Sequence, residues 1–358
     1  MRLDRAGNRF LVIGENIHCT RVLRRTGRHA QELPDGGVGI VFEDAAGARR
    51  VLPVHPDLVP TRDFTQGKIK HVASAVLWGL DGLPGRQGGP NASAEHAATA
   101  AAYVQALARR QEAAGADWLD LNADEISPDP GRRAEAIAWL VMAVEAAAQV
   151  PVAVDSSDIG VLAAGVAAST QPRGQLLLNS ASLERPEVLD LAADTSCAVV
   201  LAAAGEGGMP TGAQDRTLNA IAMVELAMAR NIEGERLFVD PLVLPVAVAG
   251  EAAASVLACA RELREEYGSA IHLTGGLSNV SFGMPNRRLL NDVYIDLAAD
   301  AGIDSGIIDP VASDLGRLFG ADRDGEAWRL AADVLLGRDP FGSEYVAAFR
   351  EGRLGAAE

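Results

Sequence analysis

Polar side chains follow most of the short apolar segments of this chain, at the points where β-strands would end. The set comprises Glu15, Asn16, Asp120, Asn122, Asp124, Asp155, Asn179, Asp240, Asn279 and Asp309. In a parallel α/β barrel the carboxyl ends of the strands converge on one mouth, so we expect these groups to face a common pocket. A ring of carboxylates and carboxamides without His or Cys partners is poorly suited to zinc.

Such a ring suits a flat heterocycle that is rich in hydrogen-bond donors. A reduced pterin presents an amino group, ring N–H groups and a carbonyl, and one carboxylate can accept two of those donors side by side. Two alternatives stay open at this point. Each Asp or Asn could serve only as a turn former or a helix N-cap, and the carboxylates could instead hold Mg²⁺.

The elements that must position these residues alternate between apolar runs and Ala-rich amphipathic stretches, which indicates repeated βα units. Strands are predicted at 10–13, 118–122, 152–155, 176–179, 198–203, 237–240, 271–274 and 306–309. Helices are predicted at 93–114, 131–149, 158–169, 186–193, 213–231, 251–267, 286–301 and 325–336. Eight strands in this order predict an α/β fold, a TIM (β/α)8 barrel, with an insertion after the first strand.

The insertion is predicted at about 27–91, because the first strand is followed by about 80 residues before the first barrel helix. Within it, 38–42 and 49–54 predict a β-hairpin, 66–80 predicts a helix and 81–91 predicts a Gly/Pro-rich linker. A helical tail is predicted at 338–358, and the whole of 1–358 is expected to form a single domain. The insertion could dock a partner, act as a lid or stabilise a dimer.

Composition excludes several classes of function. Asp and Glu outnumber Lys and Arg by 48 to 32, so the formal charge of −16 disfavours nucleic acid as a partner. The three cysteines, Cys19, Cys197 and Cys259, form no CxxC pair, which disfavours disulfides and a structural zinc site. The sequence shows neither a signal peptide nor an apolar run of about 18 residues. We therefore expect a cytoplasmic enzyme that does not enter the membrane.

Six segments together resemble a known family. They are Ile13-Gly-Glu-Asn-Ile17, Trp118-Leu-Asp-Leu-Asn122, Val154-Asp-Ser-Ser157, Leu178-Asn-Ser180, Val239-Asp-Pro-Leu242 and Gly276-Leu-Ser-Asn-Val-Ser281 with Arg287. The last is the most specific. The chain resembles the pterin-binding methyltransferases that exchange a methyl group between methyltetrahydrofolate and a corrinoid protein. It is also similar to the folate module of cobalamin-dependent methionine synthase and, more distantly, to dihydropteroate synthase.

The resemblance implies a reaction and a set of residues. A methyl group would move between N5 of methyltetrahydrofolate and the cobalt of cobalamin on a separate corrinoid protein, with no metal bound to this chain. Asn279, assisting at N5, would act with Asp155 and Asp240 in catalysis. The pterin contacts would be Asn122, Asp155, Asn179, Asp240, Gly276, Ser278, Asn279, Phe282 and Arg287. A homodimer is also expected from the resemblance.

One position departs from the family pattern, since Phe282 stands where related chains often carry Gln. Two other functions are compatible with the sequence. One is dihydropteroate synthase, although no Lys and Ser-x-Arg pattern stands near the end of the barrel. The other is a non-catalytic folate-binding subunit of a methyltransferase complex. The direction of methyl transfer and the final methyl donor do not follow from the sequence.

Overall fold

The computed structural model describes residues 3–83 and 94–355. Eight strands form one sheet in the order β12-β11-β10-β9-β8-β7-β1-β13. Their bounds are β1 Leu11–His18, β7 Trp118–Asn122, β8 Val152–Asp155, β9 Leu177–Ala181, β10 Ala198–Ala202, β11 Leu237–Asp240, β12 His272–Leu273 and β13 Ser305–Ile308. The other strands are β2 Val22–Arg24, β3 Ala30–Glu32, β4 Val38–Glu43, β5 Arg49–Pro53 and β6 Lys68–Lys70.

The helices follow the strands of this sheet in the alternation that the sequence predicts. They are α1 Arg62–Thr65, α2 His71–Asp81, α3 Ala94–Ala113, α4 Pro130–Glu145, α5 Ile159–Ala168, α6 Glu187–Thr195, α7 Ala213–Met228, α8 Ala252–Tyr267, α9 Arg287–Asp300, α10 Leu315–Phe319, α11 Glu326–Leu335 and α12 Ser343–Arg350. The strand order, with parallel registers such as Asp120 beside Ala153, confirms the predicted TIM-barrel fold class.

The chain divides into two compact units, Gly14–Leu177 and a second unit made of Met1–Ile13 with Leu178–Glu358. In the second unit, β12 and β13, which stand at the two ends of the sheet order, approach each other just beyond the end of β12. The amide of Ile307 donates to the carbonyl of Gly275 at 2.9 Å, and Gly276 pairs with Ile307 as a parallel bridge. Side chains of Ile, Leu, Val and Ala fill the core of each unit, as parallel strands covered by helices require.

The Gly14–Leu177 unit contains the insertion. Its hairpin, β4 with β5, confirms the predicted hairpin, and the turn is closed by Asp44, whose carboxylate accepts from the amides of Ala46 and Ala48. Gly47 adopts φ 74° there, a backbone conformation that residues other than glycine rarely adopt. Strand β3 extends the hairpin to three strands, and β2 pairs with β6. The predicted helix at 66–80 begins later, at His71, because β6 occupies the residues before it.

The end of the first strand differs from the prediction. The first strand does not end at Ile13 but continues to His18, because β1 stays paired and the amide of Cys19 donates to the carbonyl of Asn122 at 3.0 Å. Glu15, Asn16 and His18 therefore belong to the strand and do not follow it. The predicted linker lies outside the described residues from residue 84 to 91. No helix in the described ranges combines the length and hydropathy needed to cross a bilayer.

Candidate active site

A buried carboxylate cluster lies at the carboxyl ends of β1, β7 and β8, within the Gly14–Leu177 unit. His18 Nε2 lies 2.7 Å from Asp120 Oδ2, and Asp120 is completely buried. Asn122 Nδ2 donates to Asp155 Oδ2 at 3.0 Å. The period of two along β7 turns Asp120 and Asn122 to the same face, as the sequence predicted. The structure thus brings Asn122 and Asp155 together, and it adds His18 through its hydrogen bond with the predicted Asp120.

Asp155 does not act as a helix cap. The N-cap of α5 is Asp158, whose side chain accepts from the amides of Gly160 and Val161. Ser156 and Ser157 donate to the carboxylate of Asp124, which fixes the segment between β8 and α5. The turn-and-cap alternative is therefore wrong for Asp155, because its neighbours satisfy the backbone groups that a cap would serve.

Burial and the nearby Asp120 charge raise the pKa of the Asp155 carboxyl to about 7, against the opposing effect of His18 and of the Asn122 hydrogen bond. Burial alone would lower the pKa of His18, but the hydrogen bond and charge of Asp120 raise it above its ordinary value. Two buried carboxylates this close cannot both ionise without a nearby positive charge. The raised pKa of His18 favours its imidazolium form, and the charge of His18 opposes the upward shift of the Asp155 pKa.

His18, Asp120 and Asp155 each bring one ligand atom within 4.8 Å of the other two, which is a spacing that a divalent cation accepts. The 2.7 Å distance between His18 Nε2 and Asp120 Oδ2 is, however, that of a hydrogen bond, with a proton between the two atoms. This distance fits an ion pair between His18 and Asp120, and two neighbouring ligands of one cation can lie about as close. The magnesium alternative gains no support from it, since Mg²⁺ prefers oxygen ligands at all its positions.

In the second unit, Asp240 ends β11 and holds the loop that follows. Asp240 Oδ1 accepts from the amide of Leu242 at 2.7 Å, and Leu242 adopts φ 67°, an unfavourable value for a branched residue. The buried Arg216 donates to the carbonyl of Leu242 at 3.4 Å. Burial raises the pKa of Asp240 to about 6, opposed by the amides of Leu242 and Gly276 and by the charge of Arg216.

The segment Leu277–Ser281 forms a 3-10 helix that presents Asn279. The amide of Asn279 donates to the carbonyl of Gly276 at 3.0 Å, and its side-chain nitrogen lies so close to Gly276 that an added Cβ would stand 2.7 Å from it. Arg287 Nε donates to Ser281 Oγ at 3.0 Å, and its Nη2 donates to the carbonyl of Ser278 at 3.2 Å. Arg287 therefore secures the turn that carries Asn279.

Phe282, which departs from the family pattern, packs against a cationic side chain. Phe282 is 47% exposed, and the guanidinium of Arg287 lies 4.1 Å from the centre of its ring. This is the geometry of a cation–π contact, and it holds the Phe282 ring beside the turn that carries Asn279. Asn179, the remaining predicted site residue, lies inside β9 and not at its end, because that strand continues to Ala181.

The predicted residues thus fall into two local groups. Asn122 and Asp155 share the Gly14–Leu177 unit, whereas Asn179, Asp240, Gly276, Ser278, Asn279, Phe282 and Arg287 belong to the other unit. Their joint contact with one ligand stays a prediction.

Sequence reasoning missed Arg216 as a supporting residue. A signal was present, because Arg216 falls on the buried face of α7 with Thr217, Ala220, Met223, Val224 and Ala227, where a charged side chain is unusual. The sequence analysis also assigned no role to Gln111 of α3, whose Oε1 accepts from the amide of Asn16 at 3.0 Å. Nothing in the sequence around Gln111 indicates that contact.

A comparison with known protein families shows to which family this chain belongs. The family model described as pterin binding enzyme matches residues 91–309, which is more than half of the chain. The chain belongs to the pterin-binding enzyme family. The matched range contains every predicted pterin contact from Asn122 to Arg287, and it leaves β1 and the insertion outside. The family and the prediction of an enzyme are confirmed.

Individual relatives of this pterin-binding enzyme agree with the assignment. A methylcorrinoid:tetrahydrofolate methyltransferase from Eubacterium limosum is 30% identical over 263 residues, covering 72% of this chain and 90% of the relative. Methionine synthase from Mycobacterium leprae is 27% identical over 217 residues, which are 56% of this chain and 17% of that protein. The predicted methyltransferase class agrees with the first of these relatives.

Among solved structures, dihydropteroate synthase from Xanthomonas albilineans in complex with 7,8-dihydropteroate is 22% identical, with a TM-score of 0.49. The match covers 65% of this chain and 86% of that chain.

Proposed function

We propose that this pterin-binding enzyme transfers a methyl group between N5 of tetrahydrofolate and the cobalt of a corrinoid carried by a separate protein. The observation that carries the proposal is the 30% identity to the methylcorrinoid:tetrahydrofolate methyltransferase, over 90% of that relative's length. The sequence segments that resemble this family lie in or directly after strands of the eight-stranded sheet.

The local geometry supports pterin binding by Asp155 and Asp240. Each carboxylate is largely surrounded by protein and is oriented by neighbours, Asp155 by Asn122 and Asp240 by the amide of Leu242. A carboxylate in such surroundings gains strength as an acceptor for a pair of ring donors, because water competes less for it. Asn179 and Asn122 would complete the recognition of the pterin with amide groups.

In the proposed reaction a methyl group moves between N5 and cobalt. In one direction the cob(I)alamin electron pair forms the cobalt–carbon bond, the N5–methyl bond breaks, and N5 keeps its electron pair and gains a proton. In the other direction N5 attacks the methyl group, cobalt leaves with the electron pair, and N5 loses its proton. An amine leaves poorly unless its nitrogen is protonated or hydrogen-bonded, so a donor from Asn279 at N5 lowers the barrier selectively.

The test is an ultraviolet-visible assay with the purified chain. We expect cob(I)alamin to be consumed and methylcobalamin to form when 5-methyltetrahydrofolate is added, and the reverse change with methylcobalamin and tetrahydrofolate. Tight pterin binding without methyl transfer in either direction would contradict the proposal and favour a non-catalytic folate-binding subunit. Formation of dihydropteroate from pterin pyrophosphate and p-aminobenzoate would point to the synthase instead.

Pterin affinity is expected to depend on pH through Asp155. Because the pKa of this carboxyl is about 7, the anion that accepts the ring donors is lost as pH falls through that value. Affinity should drop by roughly tenfold for each pH unit below it. Replacing His18 with asparagine removes a positive charge near Asp155, so its pKa rises further and the drop should move to higher pH. Calorimetric titration between about pH 6 and 9 measures this shift.

A second His–Asp pair provides the control for this prediction. His272 Nδ1 lies 2.8 Å from Asp304 Oδ2 in the other unit. His272→Asn should leave the pH dependence of pterin binding unchanged. An identical profile for His18→Asn and the unmodified chain would show that His18 does not set the charge of Asp155.

Gly276→Ala should lower turnover by roughly tenfold or more, since a displacement of the reacting geometry by about 1 Å is costly. The added Cβ would lie 2.7 Å from the side-chain nitrogen of Asn279 and must displace it. Turnover at saturating pterin measures the effect, with thermal unfolding as a check of the fold. Gly131→Ala is the control, because its Cβ would meet only Asp129 at an ordinary 3.5 Å. Equal turnover of both variants would argue against a role for the Asn279 position.

A further inference from the structure

A cavity lies in the Gly14–Leu177 unit, between the inserted three-stranded sheet and helix α3. Its volume is about 590 Å³, within the range of pockets that hold small ligands. The sheet contributes Val41 and Phe42, and the helix contributes Tyr103 and Leu107. None of the predicted pterin contacts lines it. Most of its walls come from residues before position 91, where the family match begins.

The polar lining of this cavity is strongly basic. Arg28, Arg49 and Arg110 line it, with Glu43 as the one acidic lining residue among those described. Arg28 Nε donates to His29 Nε2 at 3.1 Å and Arg49 Nη2 donates to Gln31 Oε1 at 2.6 Å, and neither acceptor is a carboxylate. Within residues 3–83 and 94–355, none of these three guanidinium groups forms an ion pair with a carboxylate, and Glu43 stands directly opposite Arg49 in the pairing of β4 with β5.

This concentration of positive charge runs against the composition of the chain, which has 48 acidic and 32 basic residues. Guanidinium groups that share one concave surface repel one another, and the field they create attracts an anion. Their planar donor sets match carboxylate and phosphate oxygens. The charge around the cavity therefore points to an anionic ligand.

The inner wall is aromatic. Tyr103 and His71 are buried, and the Tyr103 hydroxyl lies 2.8 Å from His71 Nδ1. The rings of Phe42 and Tyr103 meet edge to face with centroids 5.0 Å apart. Burial, with help from the charges of Arg21 and His29, lowers the pKa of His71 to about 3, so its ring is neutral. A neutral aromatic wall favours a flat apolar group on the ligand.

We propose that this cavity binds a small aromatic anion, with its ring against Phe42 and Tyr103 and its carboxylate or phosphate group held by Arg28, Arg49 and Arg110. The insertion would then supply a ligand site that is separate from the predicted pterin contacts. This site does not depend on the proposed methyl transfer.

The experiment titrates the full chain by calorimetry with two anions and one neutral molecule. Adenosine 5′-monophosphate tests a phosphate, 4-aminobenzoylglutamate tests carboxylates, and adenosine tests the ring without the charge. We expect at least one anion to bind with a Kd below about 1 mM, and adenosine to bind at least about tenfold more weakly than its monophosphate if the phosphate arm binds. Asp155→Asn should retain this binding, which separates the site from the pterin contacts.

Matched variants test the lining directly. Arg49→Gln and Arg110→Gln should each weaken the anion about tenfold, while the exposed Arg62→Gln in the same insertion should not. Phe42→Leu should weaken it by removing the aromatic face, and thermal unfolding checks that each variant is folded. Failure of both anions to bind with a Kd below about 1 mM would overturn the proposal. Equal affinities in the Arg49, Arg110 and Arg62 variants would overturn it as well.

Discussion

Asn279→Ala should lower the rate of methyl transfer by about 100-fold or more at saturating pterin, the cost typical of losing one transition-state donor. The physical reason is that the N5 nitrogen changes its charge during transfer, so a donor to it contributes more in the transition state than in the bound substrate. Pterin affinity should change much less than turnover. Stopped-flow spectroscopy of cob(I)alamin consumption, together with calorimetry, separates the two quantities.

Two comparisons sharpen this prediction. Asn279→Asp retains the shape of the side chain but removes its N–H donor, so it should also be slow. Asn8→Ala, in the exposed turn that Asp4 closes near the amino terminus, should transfer methyl groups at the normal rate. If Asn279→Ala keeps full turnover with saturating pterin, Asn279 has no part in the mechanism.

Asp155→Asn should weaken pterin binding by about 10-fold to 100-fold, because a hydrogen bond to a charged group contributes about 1.5–3 kcal/mol. The substitution preserves the shape of the side chain and an oxygen that can accept from Asn122, while it removes the charge. It should also abolish the pH dependence of binding near pH 7, since the titrating carboxyl is gone. Calorimetry with tetrahydrofolate at several pH values measures both effects.

Asp158→Asn is the matched control for that substitution. Asp158 stands three residues further along the chain and caps α5, and asparagine caps a helix equally well. The pterin affinity of the Asp158→Asn variant should equal that of the unmodified chain. Undiminished affinity in Asp155→Asn would restrict Asp155 to a structural role beside Asn122, and the pterin would then need another anchor.

The alternation of elements was predictable from the sequence because it depends on local pattern. Predicted strands such as 118–122, 152–155 and 237–240 match β7, β8 and β11, and the hairpin at 38–54 matches β4 and β5. Short apolar runs, helical periodicity and turn residues are properties of neighbouring residues, so they can be recognised in the sequence before the fold is known. The identity of the strand-end residues as polar groups follows from the same pattern.

The end of β1 could not be predicted in the same way. Gly14, Glu15 and Asn16 interrupt the apolar run, yet the strand continues to His18, since its pairing with β7 and the amide oxygen of Gln111 satisfy the backbone. Both contributions come from residues about a hundred positions away. A hydrophobic pattern predicts strands that apolar side chains bury. It does not predict a strand that is stabilised by polar contacts.

What the sequence by itself determined is the α/β barrel, the family segments and the polar residue types at the strand ends. The tertiary structure decided the charge state of the site, because His18 and Asp120 are 102 positions apart and meet only when β1 lies beside β7. It likewise decided the basic cavity, since β4, β5 and α3 converge there only after folding. Electrostatic effects depend on distance in space, and sequence separation does not encode that distance.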